Sequence, residues 1–366
     1  MCTGKSVASQ WLMFVEDPGA AIYARFLPTV VKQHGINLTV VAAGHAVPYF
    51  EGQCTVWRGS EDAGQLLDTL QPNLVLLGTS ENPDTFAFAL RHAAAQRAIP
   101  TVGIVDSVAN ASERFKGRTA DPLAHAPSWI VVPDEVAAGE FVKLGFAAER
   151  VQVCGHPQFD DVLQLRAQWT VADRRCQRER WLAGARPDRP VLVFIAEIST
   201  GLNAEQFQRS PSYTLAGQQD SAYRTEVVID ALFQAATRLQ EKPYMVLRLH
   251  PKQALSDLPR HHALFDQVSD KSEPALELVN AADMVVGMTS MLLLEASLLG
   301  RPALSVVPRA EERLWLGPMG ASIPCVWTQE RLEAVLPELM TPVQSDRAVA
   351  KGAKARVMEF LTRQFQ

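Results

Sequence analysis

Cysteine is scarce in this chain. Cys2, Cys54, Cys154, Cys176 and Cys325 make an odd, scattered set of five. No C-x-x-C pair or Cys/His cluster occurs, which supports neither a disulfide framework nor a zinc site. No Asp-x-Asp pair occurs either, and no metal is expected. Long apolar runs are also missing. None approaches the ~18–20 uncharged residues of a membrane span, and the longest, after Ser290, is cut by Glu295. The opening MCTGKSVASQWLMFVEDPGA has an apolar core, Trp11–Val15, that stops at Glu16 and Asp17, too short for a secretory signal. The expectation is a cytoplasmic protein without a transmembrane segment. Net charge is −5 with no long basic block, so nucleic acid is not expected as a partner.

What the 366 residues do contain is a repeated alternation, over a length that suggests two domains. Short apolar runs rich in β-branched residues are followed by helix-like segments. WLMFV (Trp11–Val15), NLTVVAA (Asn37–Ala43), NLVLLGT (Asn73–Thr79), PTVGIVD (Pro100–Asp106), SWIVVPD (Ser128–Asp134) and RVQVCGHP (Arg150–Pro157) make a first set. A second set is VLVFIAE (Val191–Glu197), YMVLRLHP (Tyr244–Pro251), DMVVGMTS (Asp283–Ser290) and PALSVVP (Pro302–Pro308), with helices over Ser221–Gln240 and up to Leu299. Continuous apolar strands alternating with helices predict α/β architecture, with parallel sheets covered on both faces. The expected division is a first Rossmann-like domain over 1–165, a polar linker over 166–190 that reads as a helix plus a Pro-rich entry, a second such domain over 191–345 and an amphipathic terminal helix over 346–366.

In such sheets ligands bind beyond the carboxyl ends of the strands, where loops and helix starts converge. Polar residues gather at these positions. Arg248, His250 and Lys252 close an apolar strand, and Pro251 holds His250 extended, able to donate to a phosphate or an oxyanion; a chance basic loop reads the same. In Gly287-Met288-Thr289-Ser290, Gly287 allows close backbone approach. Thr289 or Ser290 is then either a plain helix cap or, with the helix's positive end, part of an anion site. Glu295, inside an apolar helix, needs a partner, either a ribose hydroxyl or a basic side chain of the core. Glu197, with Ser199 and Thr200, ends another strand. In the first half, Asp17 and Pro18 form a helix start that capping explains, beside Gly19. Capping does not explain Glu16, a candidate general base. Asp106 and His156 end two further strands, and Asp160 follows before the polar stretch.

These residues carry a resemblance. Gly155-His156-Pro157-Gln158-Phe159-Asp160, Arg248-Leu249-His250-Pro251 and GMTSMLLLEASLLGRPALSVV resemble the glycosyltransferase-B (GT-B) superfamily. The nearest likeness is to bacterial enzymes of surface polysaccharide biosynthesis and to non-hydrolysing UDP-N-acetylglucosamine 2-epimerases. The resemblance implies a GT-B fold, two Rossmann-like domains facing a central cleft. It implies a transferase, of hexosyl or sialyl/Kdo type, that moves sugar from a nucleotide-sugar donor to a saccharide or other small acceptor. Neither metal nor cofactor is implied. His250, Thr289 and Ser290 would meet the donor phosphates, with Glu197, Arg248, Lys252 and Gly287 beside them and Glu295 toward the ribose. Glu16 or Asp106 would be the catalytic base, and Asp17, Gly19 and His156 would line the cleft. Two departures stand out. Epimerases carry Gly-Gly and paired acids where this chain has Met288-Thr289-Ser290 and Glu295. The acidic base motif of sialyltransferases is matched only approximately by Glu16-Asp17-Pro18-Gly19. An epimerase and a non-catalytic nucleotide- or sugar-binding protein are the alternatives, and a homodimer is a further expectation.

Overall fold

The computed structural model describes residues 9–59, 61–198, 207–218, 220–269, 271–340 and 351–366. The chain forms two compact units, Met1–Asp160 with Ala350–Gln366, and Asp161–Val349.

The first unit holds strands β1 (Gln10–Val15), β2 (Asn37–Ala42), β3 (Thr55–Val56), β4 (Leu74–Gly78), β5 (Thr101–Ile104), β6 (Trp129–Val132) and β7 (Val151–Val153). They make one parallel sheet in the order β3-β2-β1-β4-β5-β6-β7. Its helices are α1 (Pro18–Ala24), α2 (Leu27–Gln33), α3 (Ala63–Leu70), α4 (Phe86–Gln96) and α5 (Glu135–Lys143). Alternate residues of β1 serve opposite cores, as period-two geometry requires. Trp11, Met13 and Val15 pack with Tyr23 and Leu27, whereas Leu12 and Phe14 pack with Leu67, Phe86 and Leu90. A strand buried on both faces must be apolar throughout, which is why these runs read as continuous.

Helix α6 (Pro157–Gln168) contains the boundary between the units, and α7 (Val171–Trp181) follows. The stretch 166–190, polar enough to read as a linker, is thus largely helical. Its α7 is started by a reciprocal Thr170/Asp173 capping box. Its polarity has a structural use. Arg174 and Arg178 each hold one oxygen of Asp283, at 2.7 and 2.8 Å, and reach the carbonyls of Asn280, Ala282 and Arg189.

The second unit has β8 (Val191–Ile195), β9 (Tyr244–Arg248), β10 (Gln267–Ser269), β11 (Met284–Gly287), β12 (Ala303–Val306) and β13 (Cys325–Val326). All are parallel, in the order β10-β9-β8-β11-β12-β13. Helices α8 (Arg224–Ala236), α9 (Ala275–Ala281), α10 (Met291–Leu298), α11 (Gly317–Gly320) and α12 (Gln329–Leu339) accompany them. The order sets the ends of β9, β8, β11 and β12 side by side. The terminal helix α13 (Ala353–Phe365) packs in the first unit, where Val357, Met358, Phe360 and Leu361 join its core. Among the described residues, no helix is long and apolar enough to cross a membrane.

Candidate functional site

The carboxyl edge of the second sheet is built around one carboxylate. Glu197 leaves β8 two residues past its end. Its Oε1 accepts from the Thr289 backbone N–H at 2.5 Å, and its Oε2 from Thr289 Oγ1 at 2.9 Å. Arg224, at the start of α8, donates to Glu197 Oε2 at 2.7 Å and to Glu312 Oε2 at 2.6 Å. The other oxygen of Glu312 accepts from Arg309 at 3.0 Å, and the Arg224 guanidinium lies 5.5 Å from the Trp315 ring centre. Arg224 is 2 % exposed and Glu312 0 %. Burial alone pulls Arg224 toward neutrality, but Glu197 and Glu312 reverse this and hold it above its usual range. Burial pushes the Glu312 carboxyl up. Arg224 and Arg309 nevertheless donate to one oxygen each, so the anion is the form this arrangement holds.

The same network reaches β9. The Glu197 carbonyl accepts from Gln253 Nε2 at 2.7 Å and Thr225 Oγ1 at 2.9 Å, and Gln253 Oε1 takes the His250 backbone N–H at 3.1 Å. The Lys252 N–H donates to His250 Nδ1 at 3.1 Å. In the neutral ring this places the proton on Nε2 and makes that nitrogen a donor. His250 is half-buried and Lys252 exposed. Ser290 is the N-cap of α10, its Oγ accepting from Leu292 N at 3.3 Å. The cap fixes the start of a helix whose amino end is suited to an anion.

Several sequence-based expectations change here. Glu197 and Thr289 were expected to meet phosphate, but they bind each other. A carboxylate cannot itself hold a phosphate, and both Thr289 donors are committed to it. Arg248 is 6 % exposed and ties β9 to β10 and the segment after it, donating to Ser269 Oγ at 2.9 Å and the Glu273 carbonyl at 2.8 Å. Glu295 is 6 % exposed within α10. A methyl group on Gly287 would make only ordinary contact, 3.4 Å from Ile195 Cβ, so no packing against the described residues requires glycine there. Ser199 and Thr200 lie outside the described residues. The sequence reading missed Arg224, Gln253, Arg309, Glu312 and Trp315. Only Arg224 had a signal, a charge opening the apolar segment TEVVIDALF.

In the first unit, Asp17 Oδ1 caps Gly19 N at 3.0 Å. Asp106, 7 % exposed, pairs with Arg114 at 3.0 Å. Arg114 is itself buried, and its guanidinium also contacts Ser107 and the Ala109 carbonyl. Burial works against the Arg114 charge, but Asp106, Glu81 and Asp17 raise it overall. A Cβ on Gly19 would lie 2.1 Å from Asp106 Oδ2, so glycine is what lets this carboxylate sit against α1. Asp106 is thus held between Arg114 and the start of α1. Glu16 differs: it is half-buried, and its Oε1 has no hydrogen-bond partner among the described residues. Nearby strand ends line a tight pocket of about 10 Å³ with Thr79, Ser80, Arg114 and His125 in its wall. His156, expected to line a cleft, is 4 % exposed, stacked on Phe159 at 4.9 Å and edge-on to Tyr23 at 5.0 Å. Among the described residues no group of three His, Cys, Asp or Glu side chains is placed to hold a metal ion.

Two parallel-sheet units of seven and six strands with interleaved helices constitute the GT-B fold. The UDP-GlcNAc 2-epimerase of Neisseria meningitidis, solved with UDP-GlcNAc, matches 96 % of this chain and 100 % of its own, at TM-score 0.66 and 13 % identity. Anabaena HepE with UDP-glucose matches 97 % of this chain and 95 % of its own, at 0.61 and 12 %. A glycosyltransferase of Rickettsia africae matches 98 % and 94 %, at 0.57 and 10 %. At these identities the likeness is one of fold. No known family matches the chain by sequence, and no curated protein does.

Proposed function

We propose that this chain is a glycosyltransferase that uses a nucleotide-sugar donor, with a UDP-sugar the first to test, and needs no metal. The observation that carries the reading is the continuous hydrogen-bonded path His250–Gln253–Glu197–Thr289 across the ends of three adjacent strands. This reading gives the His250 ring, whose Nδ1 accepts from the Lys252 N–H, the role of Nε2–H donor to the phosphate. Such preset donors stabilise charge that develops on a leaving phosphate without reorganising. In the reaction the bond from the anomeric carbon to the phosphate oxygen breaks, its electron pair going to the nucleotide. The acceptor oxygen bonds to that carbon, and its proton passes to a carboxylate. Glu16 suits that role better than Asp106, because Asp106 is bound by Arg114.

The epimerases among the neighbours favour a second reading, inversion at the sugar C2. Incubation with UDP-, CMP- and GDP-sugars in EDTA, with and without saccharide acceptors, separates the cases. Acceptor-dependent nucleotide release supports transfer, and an isomerised sugar supports epimerisation. Binding without turnover identifies a non-catalytic module. His250→Ala should lower turnover about 100-fold or more, the scale of a lost oxyanion donor, with an unchanged melting temperature. Near-normal turnover in that variant would sink the phosphate role of His250.

A further inference from the structure

Four charged side chains at the second sheet's carboxyl edge alternate in sign: Arg309, Glu312, Arg224, Glu197. Successive contacts are 3.0, 2.6 and 2.7 Å, and side-chain exposures are 12 %, 0 %, 2 % and 14 %. The chain runs from the segment after β12, through the start of α8, to the end of β8, and finishes on the Thr289 N–H and hydroxyl after β11. Arg224 also lies 3.4 Å from Thr289 Oγ1. Glu197 is held at both ends, its carbonyl by Gln253 and Thr225 and its carboxylate by Arg224.

An anion clearly belongs here as far as the protein's own side chains go, since Glu197 occupies the Thr289 donors. That creates a difficulty for a nucleotide: a bare carboxylate beside the helix start would repel a phosphate. Neutralising it in place removes the repulsion and keeps the turn rigid. Among the described residues only the Arg224 guanidinium bridges Glu197 to Glu312, and its planar fork suits two carboxylates as an ammonium would not. We propose that Arg224 is a positioning residue for nucleotide binding: it locks Glu197 onto the Thr289–Ser290 turn and cancels the charge that would otherwise oppose the donor phosphate. This rests on the nucleotide-sugar reading and names the residue that makes that site usable.

The two roles of Arg224 give a signature that simple loss of packing does not. Without Arg224, Glu197 becomes an uncompensated anion at the phosphate position, so removing Glu197 as well should restore part of the affinity. The test is calorimetric titration of the full chain with UDP, CMP and GDP, using wild type, Arg224→Gln, Glu197→Gln and the double variant, each checked by circular dichroism. Arg224→Gln is expected to weaken binding of the preferred nucleotide about ten-fold or more. The double variant should bind several-fold tighter than Arg224→Gln, a coupling of the kind neighbouring charges show. Raising the salt concentration should narrow that gap. If Arg224→Gln does not fold, Arg224→Met replaces it in the same cycle, because methionine keeps much of the side chain's packing but carries no charge. Wild-type affinity in the folded Arg224 variant, or a double variant no tighter than the single, overturns the inference and leaves the nucleotide reading standing. A wild-type chain that binds none of the three nucleotides overturns both.

Discussion

His156 shows how one buried side chain turns pH into stability. Its Nδ1 accepts from Gln158 N at 3.3 Å, and its ring is enclosed by Tyr23 and Phe159. Burial, aided by the nearby Arg25 charge, pushes its pKa down to about 3. The unfolded value is near ~6.5. Folded protein therefore keeps the ring neutral while unfolded chain takes a proton as pH falls below that value. The contribution is intact above about 6.5 and is lost toward pH 3, at roughly 1.4 kcal/mol per pH unit. His156→Asn, whose amide oxygen can replace Nδ1, removes this proton. Urea unfolding at pH 7 and pH 5 should show wild type losing about 2 kcal/mol more than the variant over that interval. Equal losses would mean that the ring is not held neutral. The sequence marked His156 as a polar strand end, but nothing in a tripeptide reveals that Tyr23, far earlier in the chain, closes over it.

At the scale of elements, the turn Gly155–Asp160 anchors the terminal helix. Asp160 accepts from Gly352 N at 2.8 Å and Lys354 N at 3.0 Å, capping α13 from a distant part of the chain. Gly155 has φ +81°, and a Cβ there would lie 2.7 Å from Arg356 Nη2. Arg356 in turn donates to the Cys154 carbonyl at 2.8 Å. The Gly-His-Pro-x-x-Asp pattern thus has a structural reason in this chain: a left-handed turn beside an arginine, and a cap four residues after the buried histidine. Asp160→Ala should cost about 1–2 kcal/mol, the value of a helix cap, and should speed hydrogen exchange in the first turn of α13. Unchanged protection there would show that the cap contributes nothing. α7 teaches a related lesson. Its polarity suggested a connecting linker, because arginines that bind carbonyls and Asp283 look in sequence like solvated ones.

For the molecule as a whole, the first unit is completed by residues from the far end of the chain. Val357, Met358, Phe360 and Leu361 are each at most 4 % exposed, and Phe360 packs 5.6 Å from Trp129. At about 1.5–3 kcal/mol per buried apolar side chain, these four rival the ~5–15 kcal/mol that stabilises a typical domain. Deleting residues 351–366 should leave the first unit unable to fold. Limited proteolysis should then cut within residues 9–160 while fragments of the second unit persist. Equal resistance of the two units would refute that dependence. By itself, the sequence determined the α/β class, the principal strands and the polar residues at their carboxyl ends. Strands buried on both faces must be apolar along their length, and polar residues are then confined to their ends. The short strands β3, β10 and β13 escaped, since unlike the equally short β7 they do not stand in an apolar run that follows a helix-like segment. Only the tertiary structure decided which of these polar residues meet each other. Glu197 finds Arg224 and Thr289, and Arg224 finds Glu312 across 88 residues. Charge pairing is a contact in space, and unlike burial it leaves no period in the chain.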